Sequence, residues 1–251
     1  MNGAEAIAVV AAGMAAGAVN AVMGSGSLIT FPTLLAVGYS PVTANVSNNI
    51  GLVPGSISGA LGFRRELEGQ GSRARKLAVG SGSGGLVGAI LLLTLPSGVF
   101  RAIVPVLVLL ACVMMALQPR LARWVAQRRP AEAPDVGLAP LAVAFAAGVY
   151  GGYFGAAQGV ILLAMLGVLV PDDLKRSNAL KNVLAGTVNG VAALLFICFA
   201  HVAWLAVALI AVGSVVGGAL GASVGRRIPA PVLRGMVICL GIGVAVKLII
   251  S

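Results

Sequence analysis

Long apolar segments separated by short connections constrain this chain more than any other feature. They cover residues 4–22, 26–38, 42–63, 77–95, 99–117, 137–154, 158–170, 178–199, 203–222 and 230–250. Most are close to the roughly 20 residues an α-helix needs to cross the hydrocarbon of a bilayer. Residues are 59% hydrophobic and only 10% charged, where a soluble domain carries about 25% charged residues. Alternation at period two is absent, which argues against an outer-membrane barrel. The predicted fold class is an all-α integral membrane protein, with the lipid bilayer as its surroundings. The 35 glycines fit helices packed closely within a membrane.

Two segments, 26–38 and 158–170, are too short for an ordinary crossing; each reaches only about 20 Å as helix. The first lies within Gly17–Pro41, where an apolar run breaks at Gly24-Ser25-Gly26-Ser27. Backbone at membrane depth must be satisfied by protein, water or ligand rather than lipid. An unwound, hydroxyl-bearing stretch there is the first candidate for function.

The halves of the sequence overlay at a shift of 133. Gly80, Ser81, Gly84, Gly85 and Gly88 match Gly213, Ser214, Gly217, Gly218 and Gly221; Pro96 and Arg101 match Pro229 and Arg234. Asn45 and Asn49 match Asn178 and Asn182, and with a two-residue slip Gly24 matches Gly155. This divides the chain into a first membrane repeat (1–117), a basic cytoplasmic linker (118–136) and a second membrane repeat (137–251), with about five segments per repeat. The 64–76 connection is rich in Lys and Arg, whereas its counterpart at 197–209 has none. Cytoplasmic connections concentrate Lys and Arg, so equivalent connections lie on opposite faces. If both short segments cross, the repeats are inverted, both termini lie outside, and only Arg101 and Lys247 among the cations fall there. The same rule accounts for the net charge of +10 without nucleic acid. Inverted repeats with broken helices are a transporter architecture, with substrate near the midplane between repeats.

The candidate substrate-binding residues follow from this arrangement. Gly24, Ser25, Gly26 and Ser27, with Gly155, Gln158 and Gly159, open the two short segments. There, free N–H groups at a helix start favour an anion, glycine admits it closely, and hydroxyl or amide donors add to the site. A tight packing hairpin would use the same glycines. Asn45 and Asn49 lie four apart on one helix face, as do Asn178 and Asn182. Such buried amides either face a cavity or bond between helices. Lys181 has two readings, neutralising an anion or anchoring the helix at the inner face. The glycine triplets 80/84/88 and 213/217/221 read as packing faces.

Other chemistry finds little support. Cys112, Cys198 and Cys239 sit in apolar runs without a CxxC and read as small core residues. His201, at a segment end, reads as an outer-surface residue. All seven carboxylates lie near segment ends or in connections, which argues against a carboxylate proton relay. No nucleophile–base constellation, Walker motif or metal-ligand cluster is present, so neither an enzyme nor a cofactor is expected. The N-terminus has no basic region and carries Glu5, so 5–22 reads as a retained span rather than a cleaved signal.

GSGSLITFPTLLAVGYSP followed by TANVSNNIGLVPGSISGALGF, echoed by GGYFGAAQGVILLAMLGV and SNALKNVLAGTVNG, resembles the sulfite exporter TauE/SafE family of membrane permeases. The likeness extends over nearly the whole chain. It departs at Ala156-Ala157, where more glycine is typical. The resemblance implies transport of sulfite, sulfonates such as sulfoacetate, or similar small anions across the bacterial inner membrane. It leaves room for a homo-oligomer. Two alternatives stay open on the residues alone: a channel-like or permease protein for a non-sulfur solute, and a non-transporting membrane assembly factor.

Overall fold

The computed structural model describes residues 1–127, 136–170, 172–224, 235, 238–243 and 245–246. Among the described residues there are nine α-helix elements and no strand. They are α1 (Gly3–Val22), α2 (Ser27–Ala36), α3 (Pro41–Gly62), α4 (Gly71–Thr94), α5 (Ser97–Gln127), α6 (Leu138–Tyr153), α7 (Gln158–Leu169), α8 (Leu174–Phe199) and α9 (Trp204–Val224), with a 3-10 turn at Arg64–Leu67. Five of them (α1, α4, α5, α8 and α9) contain stretches long and apolar enough to cross a membrane, while α2, α6 and α7 are shorter apolar helices. The chain is a multi-pass membrane protein. Its outward face is accordingly apolar: Val79, Val106, Leu194 and Phe199 stand exposed where lipid would lie. The tenth expected segment falls largely outside the described residues; 238–243 and 245–246 are helical.

Helix starts follow local chemistry. Asn2 and Glu5 form a reciprocal capping box on α1, with N–H to carboxylate and N–H to amide oxygen distances of 2.7 and 2.9 Å. Ser40 caps α3 ahead of Pro41, whose missing N–H costs nothing at a first helical position. Asp173 caps α8 by accepting from the Arg176 N–H at 2.7 Å. Two helices outrun their apolar cores. Helix α4 begins at Gly71 and carries Arg73, Arg75 and Lys76 in its first turns, and α5 continues to Gln127. Residues 118–127 of the expected linker are therefore helical, since Arg and Gln are good helix formers wherever the helix leaves the hydrocarbon. The rest of that linker, up to 135, lies outside the described residues.

The most extensive helix contacts are long-range: α1 packs on α9, and α4 on α6. Glycine makes both possible. A side chain at Gly84 would strike the Phe145 carbonyl of α6, and one at Gly217 would strike the Met14 carbonyl of α1. Backbone-to-backbone approach of this kind is how membrane helices gain dispersion contact. Helix α8 lies centrally, packed against α3, α4, α6 and α7. Of the cysteines, Cys112 is buried as expected, whereas Cys198 and Cys239 are exposed. An apolar run does not reveal which of its faces meets lipid.

Candidate functional site

Helix α1 stops at Val22 and α2 starts at Ser27; α6 stops at Tyr153 and α7 starts at Gln158. Both breaks turn through a left-handed glycine, Gly24 (φ +77°) and Gly155 (φ +78°). The second break also uses Ala157 at φ +60°, a conformation L-residues other than glycine adopt at a cost of about 1–2 kcal/mol. The two breaks touch. The Gly159 N–H donates to the Gly24 carbonyl at 3.0 Å. A Cβ on Gly24 would lie 2.8 Å from the Gly159 carbonyl carbon, so only glycine fits at this contact.

Each break exposes carbonyls that a continuous helix would have satisfied, and asparagines on α3 and α8 take them. Asn178 and Asn182 donate to the Ala21 carbonyl at 3.1 and 3.2 Å. Asn45 donates to the Tyr153 carbonyl at 3.0 Å. The Lys181 ammonium reaches the Asn20 carbonyl at 3.0 Å and has no exposed surface. Its amine lies inside the protein rather than at the inner face as an anchor. Among the described residues no carboxylate pairs with it; the ion pairs there involve Glu5 and Asp172.

The remaining candidates gather around these bonds. Ser25 is buried, its hydroxyl 3.3 Å from the Met115 sulfur. The Gly26 N–H donates to the Asn20 side-chain oxygen at 3.1 Å, and Ser27 opens α2 half-buried. Asn49 donates to Asn189 at 3.3 Å, joining α3 to α8. Gln158 opens α7 fully inside the protein, against Gly151. The Gln158 amide nitrogen and the Asn49 and Asn178 amide oxygens are buried without a hydrogen-bond partner among the described residues. Beside the breaks, Phe31 meets Phe154 edge-on at 5.3 Å, and Phe100 meets Tyr153 at 5.6 Å. Ser25, Gln158 and Lys181 are all closed off from solvent in this conformation.

Four residues of this constellation are not among the candidate binding residues read from the sequence: Asn20, Thr30, Asn48 (which lies beside the Asn45/Asn49 pair) and Asn189. Thr30 and Asn48 bond to each other and tie α2 to α3. Asn189 had a readable signal, since it lies seven residues beyond Asn182 on the same face of α8. Asn20 had none, because its role depends on where α1 ends.

The TauE/SafE sulfite exporter family model matches residues 9–248. The chain belongs to the TauE/SafE family. It is a membrane transporter of that family and not an enzyme. The Escherichia coli K12 protein described as "Probable membrane transporter protein YfcA" is 29% identical over 237 residues, covering 94% of this chain and 86% of the relative. A Haemophilus influenzae "Probable membrane transporter protein" is 25% identical, covering 94% of this chain and 91% of its own length. A Sinorhizobium "Probable membrane transporter protein ORF9" is 24% identical, covering 93% and 88%. No solved structure is a significant match.

Proposed function

We propose that this TauE/SafE protein is a secondary transporter of small oxyanions of the sulfite or organosulfonate class. It works by alternating access, with the anion held where the two helix breaks meet. The observation that carries the reading is Lys181, a wholly buried ammonium beside that contact, with no carboxylate partner among the described residues. A buried charge requires a counter-charge. Ser25, Ser27 and the unpartnered Gln158 amide add donors. Gly24, Gly26, Gly155 and Gly159 let the backbone approach, and Asn45, Asn49, Asn178 and Asn182 hold the breaks in place around the anion.

The two-repeat reading has support from element positions. Pro41 and Leu174, which start α3 and α8, are 133 apart, as are Gly71 and Trp204, which start α4 and α9. Inversion has support from the ion pairs. Arg73 at the start of α4 pairs with Asp172, and Arg176 donates to the Glu68 carbonyl at 3.1 Å. The α7–α8 connection thus lies beside the basic 64–70 turn, which fits halves inserted in opposite senses. The proposal retains repeats at 1–117 and 137–251, a cytoplasmic 118–136 connection, termini outside and an inner-membrane location.

A stabilisation screen of purified protein against sulfite, sulfate, sulfonates and carboxylates should raise the melting temperature with one of the sulfur oxyanions. Saturable counterflow of that anion in proteoliposomes separates a carrier from a channel, and no response to any solute would favour an assembly factor. Ser25→Leu should weaken binding at least about tenfold, the loss of one charge-assisted hydrogen bond, and Asn49→Leu should weaken it by loosening the α3–α8 contact at Asn189. Unchanged binding in both variants would sink the site assignment.

A further inference from the structure

Lys181 poses a problem that binding alone does not solve. A carrier must release its anion and return empty, and the empty site would then hold an uncompensated ammonium out of water. Its one bond in this structure runs to the Asn20 carbonyl, at the carboxyl end of α1. A helix end carries only about half a negative charge. The neighbouring Ala21 carbonyl is already taken by Asn178 and Asn182, so the end of α1 is occupied by amide and amine donors. Among the described residues no cluster of three or more His, Cys, Asp or Glu side chains could hold a metal ion.

Other charges are poorly placed to compensate. Of the elements packed against α8, α3 and α7 carry no titratable side chain. Helix α1 carries Glu5, fifteen residues and about 22 Å from Asn20 along the helix. Helix α6 carries Tyr150, whose hydroxyl donates to the Ala156 carbonyl at 2.6 Å, and Tyr153. Helix α4 carries Arg73, Arg75 and Lys76 in its first two turns, and the 3-10 turn carries Arg64, Arg65 and Glu66. On α8 itself Lys175 and Arg176 lie more than a turn nearer the start, and Arg176 is engaged with Asp172 at 2.7 Å.

We propose that Lys181 carries the coupling proton, so that one proton travels with each monoanion. This rests on the anion-carrier reading above. On the loading side the amine takes a proton from water and the anion binds against the ammonium. On the release side the anion leaves and the ammonium returns its proton to water, leaving a neutral amine. Both species that reorient, the anion–ammonium pair and the empty neutral amine, carry no net charge at the site. The mixed species, an ammonium without anion or an anion without ammonium, leave one buried charge unpaired and do not reorient.

The test uses methanesulfonate, which stays fully ionised across the working pH range and so cannot carry the proton itself. Wild-type protein is reconstituted in vesicles with a trapped pH dye. Adding methanesulfonate outside should acidify the lumen, and one unit of inward proton gradient should accumulate the anion about tenfold, whatever voltage a potassium diffusion potential imposes. Lys181→Arg, whose charge is permanent, should lose the gradient-driven accumulation to a greater extent than any fall in its methanesulfonate counterflow at symmetric pH. Counterflow without lumen acidification in the wild type overturns the proton role and leaves the carrier reading intact. So does gradient-driven accumulation by Lys181→Arg at the wild-type level. Absence of counterflow with both methanesulfonate and sulfite overturns the carrier reading and this inference with it. The wild-type measurement decides even if the variant fails to fold.

Discussion

Asn45 and Asn178 do the same work at two places: each gives its amide N–H to a carbonyl at the end of a distant broken helix, Tyr153 on α6 and Ala21 on α1. The spacing of Asn45/Asn49 and Asn178/Asn182 was readable as a shared helix face. Their targets were not, because a carbonyl is anonymous in sequence and its availability depends on where a helix stops. Ala157 is a similar case. The Ala156-Ala157 pair stood out against the family's glycine, but only the backbone shows that Ala157 is the one in the left-handed region, completely buried. Ala157→Gly should leave thermal stability in detergent nearly unchanged, since relieved backbone strain offsets added chain entropy. Ala157→Val should lower stability by about 2 kcal/mol or more, because a β-branched residue fits that conformation badly and the site has no spare volume. Equal melting temperatures for all three proteins would refute the strain.

At the scale of elements, the glycine triplets announced close helix packing but not the partner. Spacing reports that a face is small; which helix fills it is decided by contacts far apart in sequence, and α4 takes α6 while α9 takes α1. Helices α4 and α5 extend beyond the apolar segments 77–95 and 99–117 for a different reason: hydropathy marks where a helix leaves lipid, not where its hydrogen bonding ends. Arg73, Asp172 and Arg176 form one cluster joining the start of α4 to the start of α8, and Gln70 adds a 2.8 Å bond to the Glu66 carbonyl within the adjoining turn. In the proposed transport cycle such a clasp would hold one side shut. Asp172→Asn should loosen it, and a cysteine placed at the buried Ser177 should then react several-fold faster with a water-soluble maleimide than in the parent. An unaltered labelling rate would mean the clasp does not control access.

For the whole molecule, the repeat in the sequence and the charge of its connections point to the inverted arrangement proposed above. The expectation is concrete. In intact cells of a cysteine-free background, Gly98→Cys should react with a membrane-impermeant thiol reagent, while Glu68→Cys and Asp173→Cys should react only after the membrane is opened. Finding Glu68→Cys and Asp173→Cys on different sides would overturn the inversion. What the sequence could not convey is how the two breaks are related in space. Nothing in Gly24 or Gly159 alone says that they are neighbours 135 positions apart along the chain.

That contact has a consequence for leakage. A transporter that passes anions must never be open to both sides, and proteins usually guard against this with separate doors whose timing has to be coordinated. Here the 3.0 Å bond between Gly159 and Gly24 belongs to both breaks, like a single hinge pin shared by two doors. In the proposed alternating-access cycle, neither break swings without shifting the other as long as this bond holds, and exclusion of a through-pore then follows from one peptide contact rather than from communication over a distance.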